Sequence, residues 1–246
     1  MKRTIMLISS ATAVLLMIGS CKKPNETNST ATNLEVATMV SGSLAANSNG
    51  LSNISVDAVA NAQATVDLNP GCGATKTYSF TRQNPQGSTT TYNYTFNYSY
   101  TLNCNASNQP DNVTITATDK GSFDGPRLTS NNSGSLSAKI GGLTTASQVF
   151  VLSGEYKRAG TYTSKVDNKT SGSSTVDLVV TGVTLNKTTK IITAGTATFT
   201  VTGATASNVA INTTGSLVFS GSNKATLTIN SVNYIIDLLT GEVTKA

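Results

Sequence analysis

The sequence predicts a mostly β protein: an antiparallel meander, arranged as a sandwich, a barrel or a broad curved sheet, with one or two short helices near the amino terminus. Three observations predict it. The stretch Thr91 to Cys104 alternates strictly, with Tyr92, Tyr94, Phe96, Tyr98, Tyr100 and Leu102 at the even positions and Thr, Asn or Ser at the odd positions up to Asn103. A period of two puts every large side chain on one face of a strand. Second, Thr, Ser, Asn and Gly dominate the 246 residues, while charged residues are 12%; alternating Thr with Val, Ile or Phe is the pattern of water-facing antiparallel strands. Third, short alternating runs recur between turn signals down to the carboxyl end, and no proline follows Pro126 to interrupt their ladders.

The amino terminus reads differently. Met1-Lys2-Arg3 is basic, Ile5 to Ile18 is apolar apart from Ser9, Ser10 and Thr12, and Gly19-Ser20 precede Cys21. This is the order of a signal peptide over residues 1–20, to be set aside in fold reasoning. It is too short and too weakly flanked for a transmembrane anchor. Ile18-Gly19-Ser20-Cys21 also resembles the lipobox of bacterial lipoproteins, a resemblance confined to about the first 23 residues. It implies that Cys21 receives a diacylglyceryl group and becomes the acylated first residue. Two or more acyl chains hold a protein firmly where one does not. Lys22 stands where some inner-membrane lipoproteins carry Asp, so the resemblance implies an outer-membrane anchor with the domain facing the periplasm or the surface. Residues 21–31 are polar, include Pro24, and read as a flexible tether.

Residues 32–246 read as a single domain. Leu34, Ala37, Val40 and Leu44 recur at helical spacing, with Asn33 as a cap and Glu35 in the first turn, predicting a helix from Asn33 to about Ala46. Leu51 to Leu68 is ambiguous: Ile54, Val56 and Val66 suit a strand, while Asp57 to Ala64 is Ala-rich. Such helices would cover one face of the sheet.

With Cys21 lipidated, Cys72 and Cys104 remain. Beyond the inner membrane a disulfide between them is expected, since Thr75–Arg82, a turn at 83–88 and the tyrosine strand form a hairpin that brings them together. Two free thiols or a redox pair are the alternatives, and no CxxC spacing supports the latter. Further strands are expected around Val113–Ala117, around Leu136–Ile140, at Gln148–Tyr156 and Thr161–Val166 as a hairpin about Arg158-Ala159-Gly160, and through Val176–Val180, Ala197–Val201, Leu217–Phe219, Leu227–Ile229 and Val232–Leu238. Turns are expected at Gly121–Pro126, Asn186–Lys190 and Thr240-Gly241. The echo of Val180-Thr-Gly-Val-Thr184 in Val201-Thr-Gly-Ala-Thr205 reads as two similar hairpins. The total is about ten to twelve strands.

Composition narrows the function. With no His anywhere in the chain, Ser-His-Asp and Cys-His nucleophiles and imidazole-ligated metals are excluded, and no Walker, GxGxxG or GxSxG motif occurs. No catalytic, metal or cofactor-binding residue is assigned. The four Glu, at 26, 35, 155 and 242, stand in no glycosidase context. Asp119 and Asp124 could approach one another, but D-K-G-S-F-D reads as a turn. Net charge is +5, and +3 once Lys2 and Arg3 leave with the leader; the remaining Lys and Arg are scattered, which argues against nucleic acid. A spanning barrel is disfavoured because the apolar faces are short and interrupted. Tyr92, Tyr94, Tyr98 and Tyr100 would form a ligand platform if exposed, and core if buried. The expected protein is a non-catalytic, lipid-anchored envelope component with a structural or partner-binding role toward an envelope protein or glycan. A carbohydrate- or lipid-binding module is the alternative.

Overall fold

The structure, a computed structural model, describes residues 30–68, 70–84 and 87–246. Cys21, the leader and most of the tether lie outside the described residues. Eleven strands form one sheet in chain order, each antiparallel to the next. Two helices precede them, and their residues join those of the strands in one apolar core.

Helix α1 (Asn33–Leu44) starts at the expected residue and ends two residues short of Ala46, and its cap lies one residue earlier than expected: Thr32, not Asn33, is the N-cap. Thr32 Oγ1 accepts from Glu35 N at 3.2 Å and Glu35 Oε2 accepts from Thr32 N at 3.0 Å, a reciprocal capping box that satisfies two otherwise orphaned donors. The second Glu35 oxygen accepts from Thr170 N at 2.8 Å, tying the helix start to a strand turn. The chain is already held to the domain at Thr30, whose carbonyl accepts from Asn168 Nδ2, and Ala31 packs against the core; the last two residues expected in the tether belong to the domain. From Glu35 to Leu44 every α1 residue but Gly42 is buried, because the sheet curves around the helix. A turn of 3-10 helix, Ala46–Ser48, leads to α2 (Leu51–Leu68), which resolves the ambiguous stretch as helix. Its Ile54, Ala58, Val59 and Ala62 are buried, and its Asp57 reaches the tyrosine strand.

The strands are β1 (Thr75–Gln83), β2 (Thr91–Cys104), β3 (Pro110–Asp124), β4 (Leu128–Gly141), β5 (Val149–Ser164), β6 (Ser171–Asn186), β7 (Ile192–Thr205), β8 (Ala210–Gly221), β9 (Lys224–Ile229), β10 (Val232–Asp237) and β11 (Val243–Lys245). β2 has the bounds its alternation predicts. Cys72 and Cys104 form a disulfide with Cα atoms 5.6 Å apart, fastening the approach to β1 onto the end of β2.

Several turn expectations are corrected. β3 runs through Gly121 to Asp124, and its turn is confined to the residues before Leu128, with Gly125 N donating to Leu128 O. β4 is a full strand rather than a short one around Leu136–Ile140. β5 is continuous, so no hairpin bends at Arg158-Ala159-Gly160. The two Val-Thr-Gly echoes lie inside β6 and β7 rather than at hairpin turns; Gly182, at φ 59°, sits at a break in the β6–β7 register. Glycines inside these strands serve packing. A Cβ at Gly121 would press the neighbouring Tyr94 ring at 2.7 Å, and one at Gly134 would overlap the Asp119 carboxylate.

The outer face is made of the Thr, Ser, Asn and Lys positions. Among the described residues the large apolar side chains exposed on strands are Val179 and Val218. No helix among the described residues is long and apolar enough to cross a membrane.

Candidate functional site

A cleft lies where the two ends of the sheet approach each other across the α1–α2 corner. Four turns build it: Asn84 and Thr89–Thr90 between β1 and β2, Gly125–Leu128 between β3 and β4, Ala46–Ser48 between the helices, and Leu239–Glu242 between β10 and β11. Its volume is about 720 Å³, within the range of small-molecule sites.

Asn47 is the clasp of this seam. Its Nδ2 donates to Thr90 Oγ1 at 3.2 Å and to the Thr240 carbonyl, bridging the first and last hairpins. Backbone bonds from Ala46 N to Leu238 O (2.8 Å) and Asn47 N to Leu239 O (3.0 Å) hold the same corner, and Ser41 Oγ donates to Gly241 O. Asn84 shapes the other rim, its Oδ1 accepting from Tyr92 N and its Nδ2 donating to Thr90 O. Asp237 fixes the β10–β11 turn: Oδ1 accepts from Leu239 N and Thr240 N, each at 2.9 Å, and Oδ2 pairs with Lys224 Nζ at 2.8 Å. Burial alone would raise the Asp237 pKa, but Lys224 and these turn N–H groups overcome it and bring it down to about 2.

Beneath the cleft lies a buried polar cluster. Arg158 on β5 and Asp119 on β3 both face the core, opposite Gly134 of the intervening β4. The Arg158 guanidinium donates to the carbonyls of Gly42 (2.6 Å), Ser48 (3.2 Å) and Asn49 (2.7 Å), lies 3.8 Å from Asp119 Oδ1, and stacks over the Tyr94 ring at 5.1 Å. A cation at these carbonyls complements the negative end of α1 and satisfies acceptors that the helix corner leaves open. Burial pushes the Asp119 carboxyl above the usual carboxylate range, and Arg158 offsets only part of that. Arg158 and Asp119 are each at most 5% exposed, so we read the cluster as the fastening of the helices to the sheet.

The sequence-derived candidates fall as follows. Tyr94, Tyr98 and Tyr100 are at most 2% exposed and Tyr92 is half-buried, so the tyrosine face is core and offers no platform. α2 covers it: Asp57 accepts from Tyr98 OH at 3.3 Å and pairs with Arg82 at 2.9 Å, and burial raises the Tyr94 pKa. Asp119 and Asp124 are not brought together; five residues apart on one strand, they point to opposite faces, and Asp124 pairs with Lys165 on the outside. Among the described residues no group of three or more Cys, Asp or Glu is placed to hold a metal. Sequence reasoning put Asp119 and Arg158 in turns and missed their pairing, though the signal was present: Asp119 continues the parity of Val113, Ile115 and Ala117, and Arg158 that of Tyr156. It also missed the cleft, whose walls come from four separate turns.

The fold and site define a class by geometry: a meander sheet curved around its own amino-terminal helix, with a cleft of mixed polar and apolar lining at the seam. No protein-family model, curated protein or solved structure matches the chain.

Proposed function

We propose that the protein is a lipid-anchored component of a bacterial outer membrane that acts by binding rather than by catalysis. Cys21 carries the lipid, the residues after it tether the domain, and the domain meets an envelope protein or glycan in the periplasm or at the surface. One observation carries the binding part: α1 fills the concave side of the sheet, with Val36, Ala37, Val40 and Leu44 at most 2% exposed. A filled interior makes the domain a solid scaffold whose working surfaces are its polar outer face and the seam cleft. The disulfide supports an oxidising compartment. The outer face of Thr, Ser and Asn supports a domain in water beside the membrane rather than within it.

Cell fractionation tests the anchor. The wild-type protein is expected to sediment with membranes, and Cys21→Ala to appear in the soluble fraction with its fold intact. A Cys21→Ala protein that still sediments would sink the proposal.

A second reading, a carbohydrate-binding module, is favoured by the cleft. Its lipid-binding counterpart is weakened because α1 takes the space an acyl chain would need.

A further inference from the structure

We propose that the seam cleft is the binding site for a neutral oligosaccharide, which it holds without cleaving. The proposal rests on the carbohydrate reading above and assigns that reading its site, its residues and its ligand class.

The cleft has walls of contrasting chemistry. Tyr92, Phe123, Leu128 and Leu239 supply apolar surface. Leu239 is 52% exposed and offers its apolar surface at the rim. In the same lining, Asn47 and Thr90 supply amide and hydroxyl groups held in fixed orientations by the clasp. Two opposite charges, Arg127 and Glu242, also line the cleft. Among the described residues neither side chain makes an ion pair or hydrogen bond, with each other or with any neighbour. The Arg127 Nε–H is buried with no acceptor.

A ligand that completes this site must accept from Arg127, donate to Glu242 and lay an apolar face on Tyr92 and Leu239. Each requirement excludes a class. An anion would suit Arg127 and be repelled by Glu242, a cation would do the reverse, and a hydrocarbon would leave both charges desolvated and unpaired. A sugar meets all three demands, because each hydroxyl both donates and accepts while the C–H face of the ring packs on aromatic and aliphatic surface. Glu242 is the sole carboxylate among the described residues that line the cleft. Glycoside hydrolysis takes two carboxyl groups across the scissile bond, so the arrangement binds and does not cut.

The test uses the full-length lipidated protein in detergent, titrated calorimetrically with hexasaccharides of α-glucan, β-glucan, mannan and chitin, and with a polygalacturonate hexamer as the acidic comparison. At least one neutral hexasaccharide is expected to bind and to be released uncleaved. Glu242→Gln and Arg127→Met should each weaken that binding about tenfold, with the melting temperature unchanged because both side chains lack partners in the fold. Neutral binding that ignores both substitutions, or binding of the acidic hexamer alone, overturns this site while leaving the carbohydrate reading standing. No binding by any hexasaccharide at ~10 mM overturns both.

Discussion

Arg158 decides how the two layers of this molecule meet. It is 4% exposed, answers three backbone carbonyls at the α1–α2 corner, and is the cation nearest the buried Asp119. Removing one partner of a buried pair leaves an uncompensated charge, so Arg158→Met is expected to destabilise the domain by about 3–5 kcal/mol. Chemical denaturation measures it, and the double variant Arg158→Met with Asp119→Leu should recover part of the loss. A single-variant cost under about 1 kcal/mol would remove Arg158 from this role. Two carboxylates then give opposite pH dependences. Asp119 has a raised native pKa, so the native state holds its proton more tightly than the unfolded chain; between about 3.9 and the raised value, stability falls as pH rises. Asp237 has a native pKa of about 2, so its contribution is present above the unfolded value and is lost as pH falls toward 2. Denaturation curves between about pH 2 and pH 6 check both signs: Asp119→Asn should remove the first slope and Asp237→Asn the second.

At the scale of elements, the β1–β2 hairpin depends most on a covalent link. Among the strands β1 pairs with β2 alone, its Arg82 adds a side-chain bond to Asp57 of α2, and its residues are half-buried or exposed throughout. The Cys72–Cys104 bridge, across 32 positions, holds the start of β1 to the end of β2. Reduction, or the pair Cys72→Ser and Cys104→Ser, is expected to lower stability by about 3–4 kcal/mol, read as a fall in melting temperature. An unchanged value would show that the aromatic contacts of β1, such as Phe80 against Tyr98 at 5.7 Å, hold the hairpin unaided. This is also the scale at which the sequence was most legible. β2, the disulfide and α1 could be read directly, because alternation, cysteine parity and helical spacing are local signals. α2 was ambiguous because Ile54, Val56 and Val66 among its apolar residues are β-branched. The turns expected at Gly121–Pro126 and about Arg158–Gly160 failed for a tertiary reason. Gly121 is small because Asn93 and Tyr94 of β2 occupy its space, and Gly160 because Asn131 and Asn132 of β4 do, which no single strand's sequence reveals.

At the scale of the whole molecule, the sheet is an incomplete wrap. Its long strands, β2 to β7, surround the helices, and its short last strands bring the β10–β11 turn back toward β2, where Asn47 joins them. The cleft exists because the wrap stops there, so it has no sequence signature of its own: Arg127 and Glu242 are 115 positions apart in the chain. The same geometry organises the proposed role. Thr30 and the α1 capping box lie at the β5–β6 turn, while the cleft includes the residues that follow the opposite end of α1. A lipid at Cys21 would hold the first end near the bilayer and leave the second free to meet its ligand.

The most direct test of that account is the intact mass of the protein extracted from membranes. The account predicts a chain beginning at Cys21 and heavier than the bare polypeptide by a diacylglyceryl group and an amino-terminal acyl chain, with the added mass on Cys21. A chain of unmodified mass, or one beginning elsewhere, would contradict it.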